Sequence, residues 1–443
     1  MNNSILISEY GKKELNSEQS NSFSRYYEKV KDSKKYCFGS FESRNIYLNS
    51  NSLFNQDSNV GIINFENKTF EFRPKLDNSE EENFWKFLPR MMSRLYDLKD
   101  FGKNLFIDSE ELIDLPKGSN IVPILTLSFV SLCEDILEKG LTKKYILKNE
   151  RIKSIKGKID FSVLTRQKPW DLSTVPCSYY DLTFDNEENQ IILWCANRLL
   201  KQTRILNEKN SENIVLKKLK EQVNLLSGEI TLLPKTKKDL LNLNISGVNY
   251  HYRDIMSVCK AILSESLFSF NESDNHKNKG INFIINMDWV FEQYMTCLFQ
   301  EATKDFDNLK INSQQRKSLC DKNKITIKPD LIISTKDDKP VYIIDFKWKL
   351  RKDRNADYYQ IICYGLAELQ KNDNIKVGIF SVGDINEKYN DIEQQFDVIS
   401  EIFKNSSKEV RITNLILDPK LLKEDNPESE IKRQIKNFLA KCQ

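Results

Sequence analysis

The chain has 443 residues, of which 40% are hydrophobic and 30% charged, and its formal net charge is +3. This length allows two domains with separate cores, and the composition excludes a disordered chain. No run approaches about eighteen apolar residues and the N-terminus lacks a basic-then-apolar leader, so we expect a cytoplasmic protein without a membrane contact.

Cysteine and histidine usage narrows the possible chemistry. Nine cysteines stand singly without a CxxC pair, and the histidines are His251 and His276. Unpatterned cysteines are typical of reduced thiols, and two distant histidines argue against a zinc site or a Ser-His-Asp triad. Catalytic chemistry would therefore use carboxylates, lysines and a metal ion that prefers oxygen ligands.

The first part of the chain predicts strands followed by helices. Residues 59–76 are typical of two short strands around a turn that begins at Glu66. Apolar residues at helical spacing predict a helix over 83–98, and the apolar run 121–141 predicts a buried helix ended by Gly140.

The remainder predicts a helical region and then an α/β pattern. Helical periodicity extends over about 187–226, and the polar segment 271–280 indicates a linker or surface loop. The last third then alternates helices and strands. The fold class we predict is α/β (α+β overall), with a β-rich N-terminal domain, a helical region and an α/β domain.

Two segments concentrate positive charge. Residues 139–158 contain eight Lys/Arg and one acidic residue, and residues 304–354 contain fourteen Lys/Arg and eight Asp/Glu. Local excesses of this kind suit a polyphosphate partner such as double-stranded DNA. Solvated lysines without a partner are the alternative interpretation.

The most informative pattern lies in two neighbouring predicted strands. Segments 325–334 and 341–349 are joined by a short polar turn, which predicts an antiparallel hairpin. Because strand side chains alternate, Asp345 and Lys347 are expected on one face, with Asp330 on the adjacent strand. Ile343 shares that face, whereas the intervening apolar residues should pack against helices.

Two carboxylates and a lysine at one place suit phosphodiester hydrolysis. Carboxylates bind Mg²⁺ or its substitute Mn²⁺, and such an ion polarises a phosphate and lowers the pKa of bound water. We therefore predict Asp330 and Asp345 as metal ligands. Lys347 would orient or help deprotonate the attacking water and offset charge on the phosphate.

Helices on either side of the hairpin offer further candidates. The predicted helix 285–302 carries Glu292, which could act as an additional catalytic carboxylate and metal ligand. The predicted helix 356–369 places Gln360 and Tyr364 one turn apart on one face, where they could contact the metal site or the DNA backbone. A solvated glutamate, and core or capping roles for the other two, are the alternatives.

A series of sequence blocks extends over about residues 59–365. The N-terminal blocks are GIINFENKTFEFRPKL, FWKFLPRMMSRLYDL, RIKSIKGKIDFS around Gly157, and SYYDLTFDNEENQIILW with Asp185 and Asn189. The C-terminal blocks are FEQYM, KPDLII, DFKWK and YYQIICYG. In their order and spacing, these blocks resemble the McrC family, the nuclease subunit of McrBC-type modification-dependent (type IV) restriction systems.

The resemblance implies a PD-(D/E)xK endonuclease for antiviral defence that works with an McrB-like AAA+ GTPase hexamer on modified double-stranded DNA. It implies a motor-docking and activating domain over 1–180, then a helical region and endonuclease domain over 181–443, with its core at about 281–420. None of the thirteen glycines lies in a GxxxxGK[ST] pattern, so this chain should bind no nucleotide itself.

Two departures and two alternatives stay open. The stretch 201–280 is longer and more polar than the family pattern suggests. In addition, the sequence identifies no N-terminal loop that would reach into the motor. The basic segment 139–158 is a candidate for contact with the motor or with DNA. The chain could instead be a stand-alone nuclease. It could also be a regulatory subunit that activates a motor, with a purely structural acidic cluster.

Overall fold

The computed structural model describes most of the chain but not all of it. No helix among these residues is both long and apolar enough to cross a membrane. The described residues are 4–8, 12–31, 47–48, 53–55, 58–66, 68–73, 88, 91–92, 105–114, 122–166, 173–206, 214–243, 245, 247–263, 279–313, 317–320, 325–350, 355–368, 374–383, 393–399, 409–421 and 427–442.

The predicted mixture of helices and strands is confirmed. The strands are β1 Ser4–Ser8, β2 Lys12–Glu14, β3 Tyr47–Leu48, β4 Leu53–Asn55, β5 Asn59–Phe65, β6 Lys68–Arg73, β7 Leu105–Asp114, β8 Lys144–Ile152, β9 Lys158–Ile159, β10 Val175–Thr183, β11 Lys279–Asn286, β12 Leu309–Ser313, β13 Lys317–Cys320, β14 Ile325–Ile327, β15 Leu331–Thr335, β16 Pro340–Leu350, β17 Asn374–Val382, β18 Glu393–Ile399 and β19 Glu409–Leu417. The α-helices are α1 Ser17–Lys31, α2 Val122–Lys139, α3 Phe161–Leu164, α4 Glu187–Leu206, α5 Ile214–Ser227, α6 Lys237–Leu241, α7 Arg253–Ile262, α8 Met287–Thr303, α9 Asn355–Glu368 and α10 Pro427–Ala440, and a 3-10 helix covers Gly247–Tyr252.

The chain forms two compact units that do not follow sequence order. Unit 1 contains residues 1–121 and 276–443, and unit 2 contains residues 122–275. Residue 180, where the sequence analysis divides the domains by function, lies inside β10 of unit 2. That division of roles stays a prediction.

A five-stranded sheet in unit 1 has the order β1-β6-β5-β11-β7. The predicted hairpin is confirmed, because β5 and β6 pair antiparallel with Phe65 opposite Lys68. Its turn begins at Glu66, which has a positive φ of 51° and contacts Arg25 and Ser22 of α1. The sheet and α1 share a buried apolar core.

A six-stranded sheet in unit 1 has the order β12-β15-β16-β17-β19-β18. Strands β15 and β16 form the predicted antiparallel hairpin, and β16, β17 and β19 run parallel. Helix α8 packs on the sheet face that carries Phe346 and Trp348, whose rings lie 6.4 and 5.3 Å from the Phe291 ring. Helix α9 packs on the opposite face with Ile343 and Val377. The predicted alternation along β16 is therefore confirmed.

One predicted strand is divided in two. The segment 325–334 forms β14 and β15, with a break at Lys328, Pro329 and Asp330. Proline has no N–H for a strand ladder, which explains an interruption at Pro329. The break leaves Asp330 just outside β15.

Unit 2 packs helices around α2. The predicted buried helix is confirmed as α2, which is followed by Gly140 at a φ of 90°. The stretch 201–280 contributes α5, α6 and α7, and α4 and α7 both pack against α2. Buried Asn189 donates to the carbonyls of Thr142 and Phe184 and accepts a hydrogen bond from Tyr252.

A three-stranded antiparallel sheet, β8-β10-β9, completes unit 2 and includes most of the basic segment 139–158. One face of this sheet, here called the β8–β10 face, carries Tyr145 opposite Leu182 and Leu147 opposite Tyr180. These four side chains are between 47% and 70% exposed. The other face carries polar contacts, including Lys148 with Asp181 at 2.6 Å.

Two predicted segments lie largely outside the described residues. Of the predicted helix 83–98, the structure describes Leu88, Met91 and Met92, all of which are buried. Of the predicted loop 271–280, it describes only the last two residues, which begin β11.

Candidate active site

The two predicted carboxylates come together at one end of the β15–β16 hairpin. Leu331 pairs with Ile344, so the next pair along the ladder sets Asp330 opposite Asp345. Asp330 Oδ2 accepts a hydrogen bond of 2.7 Å from the N–H of Phe346. The ring of Phe346 is held in the aromatic cluster under the sheet. Asp330 is thus oriented by backbone that is itself fixed by core packing.

Lys347 lies beside Asp345 as the period of two predicts. Its Nζ is 2.6 Å from Asp345 Oδ2, and the Asp345 side chain is only 2% exposed. Burial lowers the pKa of Lys347, but the charges of Asp345, Asp330 and Asp357 outweigh it and the net pKa is raised. Lys347 is therefore held as an ammonium ion, which favours an electrostatic and orienting role over the role of a base.

Helix α9 places Gln360 beside Lys347 and Asp345. Gln360 Oε1 accepts a hydrogen bond of 3.3 Å from Lys347 Nζ, and Gln360 Nε2 donates to Asp345 Oδ1 at 3.5 Å. Nε2 also donates to the hydroxyl of Tyr364 at 2.6 Å, and that hydroxyl donates to the Lys328 carbonyl at 3.4 Å. Burial raises the pKa of Tyr364, so the phenol keeps its proton.

Glu292 and Asp357 act on the site through their charges. Glu292 is half-buried on α8, and its charge raises the pKa of Asp330. Asp357, in the first turn of α9, raises the pKa values of both Asp345 and Lys347. The sequence analysis missed Asp357, although its position three residues before Gln360 on the same predicted helix could have identified it.

Among the described residues, acidic side chains outnumber basic ones at the site. Burial is the largest cause that raises the pKa of Asp330 well above its usual range, and the charge of Asp345 is the next. Burial also raises the pKa of Asp345, against the opposing charge of Lys347. The buried carboxyl of Asp345 and the half-buried carboxyl of Asp330 resist ionisation together, and with Glu292, Asp357 and Lys347 nearby they form a site suited to an added cation.

Among the described residues no group of three His, Cys, Asp or Glu side chains is arranged to hold a metal ion. A pair of carboxylates is nevertheless a suitable donor set for Mg²⁺, which usually keeps several waters and takes one or two protein carboxylates. Asp330 and Asp345 fit that requirement, and Glu292 does not complete a triad in this geometry.

Asp185 and Gly157, which belong to the blocks that resemble the McrC family, lie in unit 2 and have structural roles there. Asp185 accepts hydrogen bonds from the backbone N–H and hydroxyl of Thr231 and from Gln190. Gly157 has a φ of 63°, and a Cβ there would lie 2.5 Å from the Ser178 carbonyl oxygen. These contacts explain why a glycine stands at this position.

Comparison with known proteins identifies the family. The model of the family described as "McrBC 5-methylcytosine restriction system component" matches residues 55–380. The chain belongs to this family. The McrBC match includes Asp330, Asp345, Lys347, Glu292 and Gln360.

Two solved structures are similar to this McrBC family member, and no curated protein matches it. One is a refined half-complex from the tetradecameric assembly of Thermococcus gammatolerans McrB AAA+ hexamers with bound McrC, which is 15% identical over 98% of this chain and 100% of that chain, with a TM-score of 0.47. The other is the cryo-EM structure of the Thermococcus gammatolerans McrBC complex, which is 15% identical over 68% of this chain and 88% of that chain, with a TM-score of 0.30. Because both TM-scores are below 0.5, neither match by itself establishes a shared fold.

Proposed function

We propose that this chain is the Mg²⁺-dependent DNA endonuclease subunit of an McrBC-type restriction complex. The observation that carries the proposal is the convergence of Asp330, Asp345 and Lys347 on one end of a hairpin. Family membership supports a role in restriction of DNA that contains 5-methylcytosine. Double-stranded modified DNA is therefore the proposed substrate.

Asp330 and Asp345 would hold the metal, with Glu292 in the surrounding acidic environment. Mg²⁺, or Mn²⁺ in its place, would supply charge neutralisation at the phosphate and a more acidic water when bound. The support is that burial raises the pKa values of both carboxyls and the charge of Asp345 raises that of Asp330 further, so an added cation would favour ionisation of both.

The remaining groups would position the reactants. Lys347, held as an ammonium ion, would orient the attacking water and offset charge that builds on the scissile phosphate. Gln360 contacts both Lys347 and Asp345, so it would restrict the ammonium to one place. Preorganised electrostatic groups of this kind need no reorganisation during the reaction.

We propose an McrB-like AAA+ GTPase hexamer as the partner. The support is the family membership together with the lack of a P-loop pattern in the sequence, so that nucleotide-driven steps must come from another protein. The β8–β10 face is a candidate contact for this motor, because contiguous exposed apolar groups commonly mark interaction sites.

The direct test is cleavage of 5-methylcytosine-containing plasmid by the full chain with its McrB-like partner, GTP and Mg²⁺. Asp345→Asn should abolish cleavage and leave stimulation of GTP hydrolysis intact, whereas Asp337→Asn in the exposed hairpin turn should cleave normally. Cleavage at the parental rate by Asp345→Asn would refute the nuclease proposal. Stimulation without cleavage by the parental chain, with either metal, would favour the regulatory alternative.

A further inference from the structure

The side-chain amide of Gln360 has two chemically different ends, and each faces a different partner. Its Oε1 faces the Lys347 ammonium at 3.3 Å, and its Nε2 faces the Asp345 carboxylate at 3.5 Å. Rotation of the amide by half a turn would set oxygen against carboxylate and NH₂ against ammonium. Only one of the two orientations is therefore favourable at this place.

The contact with Tyr364 favours the same orientation of the Gln360 amide as the contacts with Lys347 and Asp345 do. The Tyr364 hydroxyl gives its one proton to the Lys328 carbonyl, so towards Gln360 it can only accept. It accepts from Gln360 Nε2 at 2.6 Å, the shortest contact that Gln360 makes in the described structure. Because the Tyr364 hydroxyl donates to the Lys328 carbonyl, the Gln360 amide must turn its NH₂ group towards Tyr364.

Tyr364 is itself rigidly placed. It is 6% exposed and lies one helical turn after Gln360 on α9, within the apolar cluster formed with Ile343, Ile361 and Val377. Its acceptor, the Lys328 carbonyl, belongs to the break between β14 and β15 that also sets Asp330. The hydroxyl therefore connects the helix that carries Gln360 to the segment that carries a predicted metal ligand.

We propose that Tyr364 is a positioning residue of the nuclease site, which fixes the amide of Gln360 and through it the Lys347 ammonium beside Asp345. This inference rests on the proposed nuclease function. Tyr364 acts through Gln360 and need not touch DNA or metal.

The test is a double-mutant cycle in the full chain, assembled with its partner on 5-methylcytosine-containing plasmid. Tyr364→Phe removes the hydroxyl but keeps the buried ring, and it should lower kcat by about fivefold to tenfold, the value of one hydrogen bond, without changing KM for DNA. In a Gln360→Ala background the same change should alter kcat by less than about twofold, because the amide on which it acts is absent. Tyr359→Phe, at a tyrosine 67% exposed on the same helix, is the matched control and should leave kcat unchanged.

Each other outcome decides against the inference. Equal losses from Tyr364→Phe with and without Gln360 would show an independent role, and an increased KM would indicate direct DNA contact. A Tyr364→Phe chain that does not fold would make the hydroxyl a structural requirement. If the unsubstituted chain does not cleave, the proposed nuclease function fails and this inference with it, whereas normal cleavage by Tyr364→Phe overturns this inference alone.

Discussion

At the scale of single residues, the described groups of the candidate site include four acidic side chains and one lysine. Asp330 and Asp345 are drawn together at one end of the hairpin, and the charges of Glu292 and Asp357 reach the same pair. Core residues hold this arrangement in place, because the Phe346 ring packs against Phe299 of α8 while its N–H donates to Asp330. The site therefore carries an electrostatic cost that a bound cation would relieve.

The raised pKa of Asp330 predicts how metal-free stability depends on pH. The folded protein holds this proton more tightly than the unfolded chain, so the stability that Asp330 contributes is present below the usual carboxyl pKa of about 3.9 and is lost as pH rises through the raised pKa. The Asp330→Asn side chain does not ionise, so this variant should not lose that stability as pH rises. In EDTA, the variant should therefore gain Tm relative to the parental chain as pH increases.

Thermal scans at several pH values, with and without Mg²⁺, check this prediction. Mg²⁺ should raise the Tm of the parental chain and have little effect on Asp330→Asn, since a ligand that binds only the folded state stabilises it. The control Asp337→Asn, in the exposed turn, should follow the parental chain under every condition. An identical pH profile for Asp330→Asn and the parental chain would contradict the assignment of Asp330.

Lys347→Ala should separate metal binding from chemistry. The ammonium is a preorganised charge at the site, and loss of such a group typically costs on the order of 100- to 1000-fold in rate. Mg²⁺ should still raise the Tm, because both carboxylates remain and a nearby positive charge is gone. Plasmid nicking rates and Tm shifts are compared with those of Lys336→Ala, an exposed lysine of the same hairpin, which should match the parental chain in both. Loss of the Mg²⁺ effect would mean that Lys347 is needed to build the site.

At the scale of secondary-structure elements, one buried side chain joins several segments of unit 2. Asn189 of α4 holds the carbonyls of Thr142 before β8 and Phe184 after β10, and it accepts from Tyr252 before α7. The Tyr252 hydroxyl in turn accepts the N–H of Thr142. The amide thus connects helices to the three-stranded sheet within this unit.

Asn189→Ala should destabilise unit 2 by about 2–4 kcal/mol, because it removes a partner from the Phe184 carbonyl and from the buried Tyr252 hydroxyl, and leaves the Thr142 carbonyl with the hydrogen bond from Asn186. Asn197→Ala, on the same helix, is the control. Among the residues that the structure describes, its side chain donates only to the Leu193 carbonyl one turn earlier, so the cost should be at most about 1 kcal/mol. Thermal unfolding followed by circular dichroism measures both, and equal shifts would show that the Asn189 network is not important for stability.

At the scale of the whole molecule, unit 2 is inserted between two strands that are neighbours in a sheet of unit 1. Strand β7 ends at Asp114 and β11 begins at Lys279, and these two residues are paired. The described strand ends that flank unit 2 in the sequence are therefore neighbours in one sheet of unit 1. This topology allows unit 2 to carry a contact with a partner while the hairpin with Asp330 and Asp345 stays in unit 1.

The β8–β10 face gives a whole-molecule prediction about the motor. Tyr145→Glu combined with Tyr180→Glu places charge among exposed apolar side chains, which should prevent docking and abolish stimulation of GTP hydrolysis by the partner. The Mg²⁺-dependent Tm shift should persist, because the proposed metal ligands Asp330 and Asp345 are in the other unit. Leu225→Glu, at an exposed leucine of α5, is the control and should stimulate normally. Full stimulation by the double variant would exclude this face as the motor contact.

The chain alone should hydrolyse neither GTP nor ATP, because none of its glycines forms a phosphate-binding P-loop pattern. The measurement is phosphate release by the purified chain, repeated after a further purification step. Turnover that co-purifies with the chain would contradict this prediction.

The sequence by itself determined those features that depend on near neighbours along the chain. The hairpin turn at Glu66, the end of α2 before Gly140 and the shared face of Asp345 and Lys347 follow from turn chemistry and from the period of two in strands. The order of blocks also indicated the family, which the family match confirmed.

Only the tertiary structure decided which distant segments meet. Strand β11 pairs with β5 and β7 although some 160 residues separate it from β7, and local periodicity does not specify the partner of a strand. The hydrogen bond from Phe346 to Asp330 depends on the break at Pro329, and the approach of Tyr364 to Lys328 depends on how α9 packs on the sheet. Such contacts arise from packing and side-chain direction, so residue spacing could nominate Gln360 and Tyr364 but could not show what they touch.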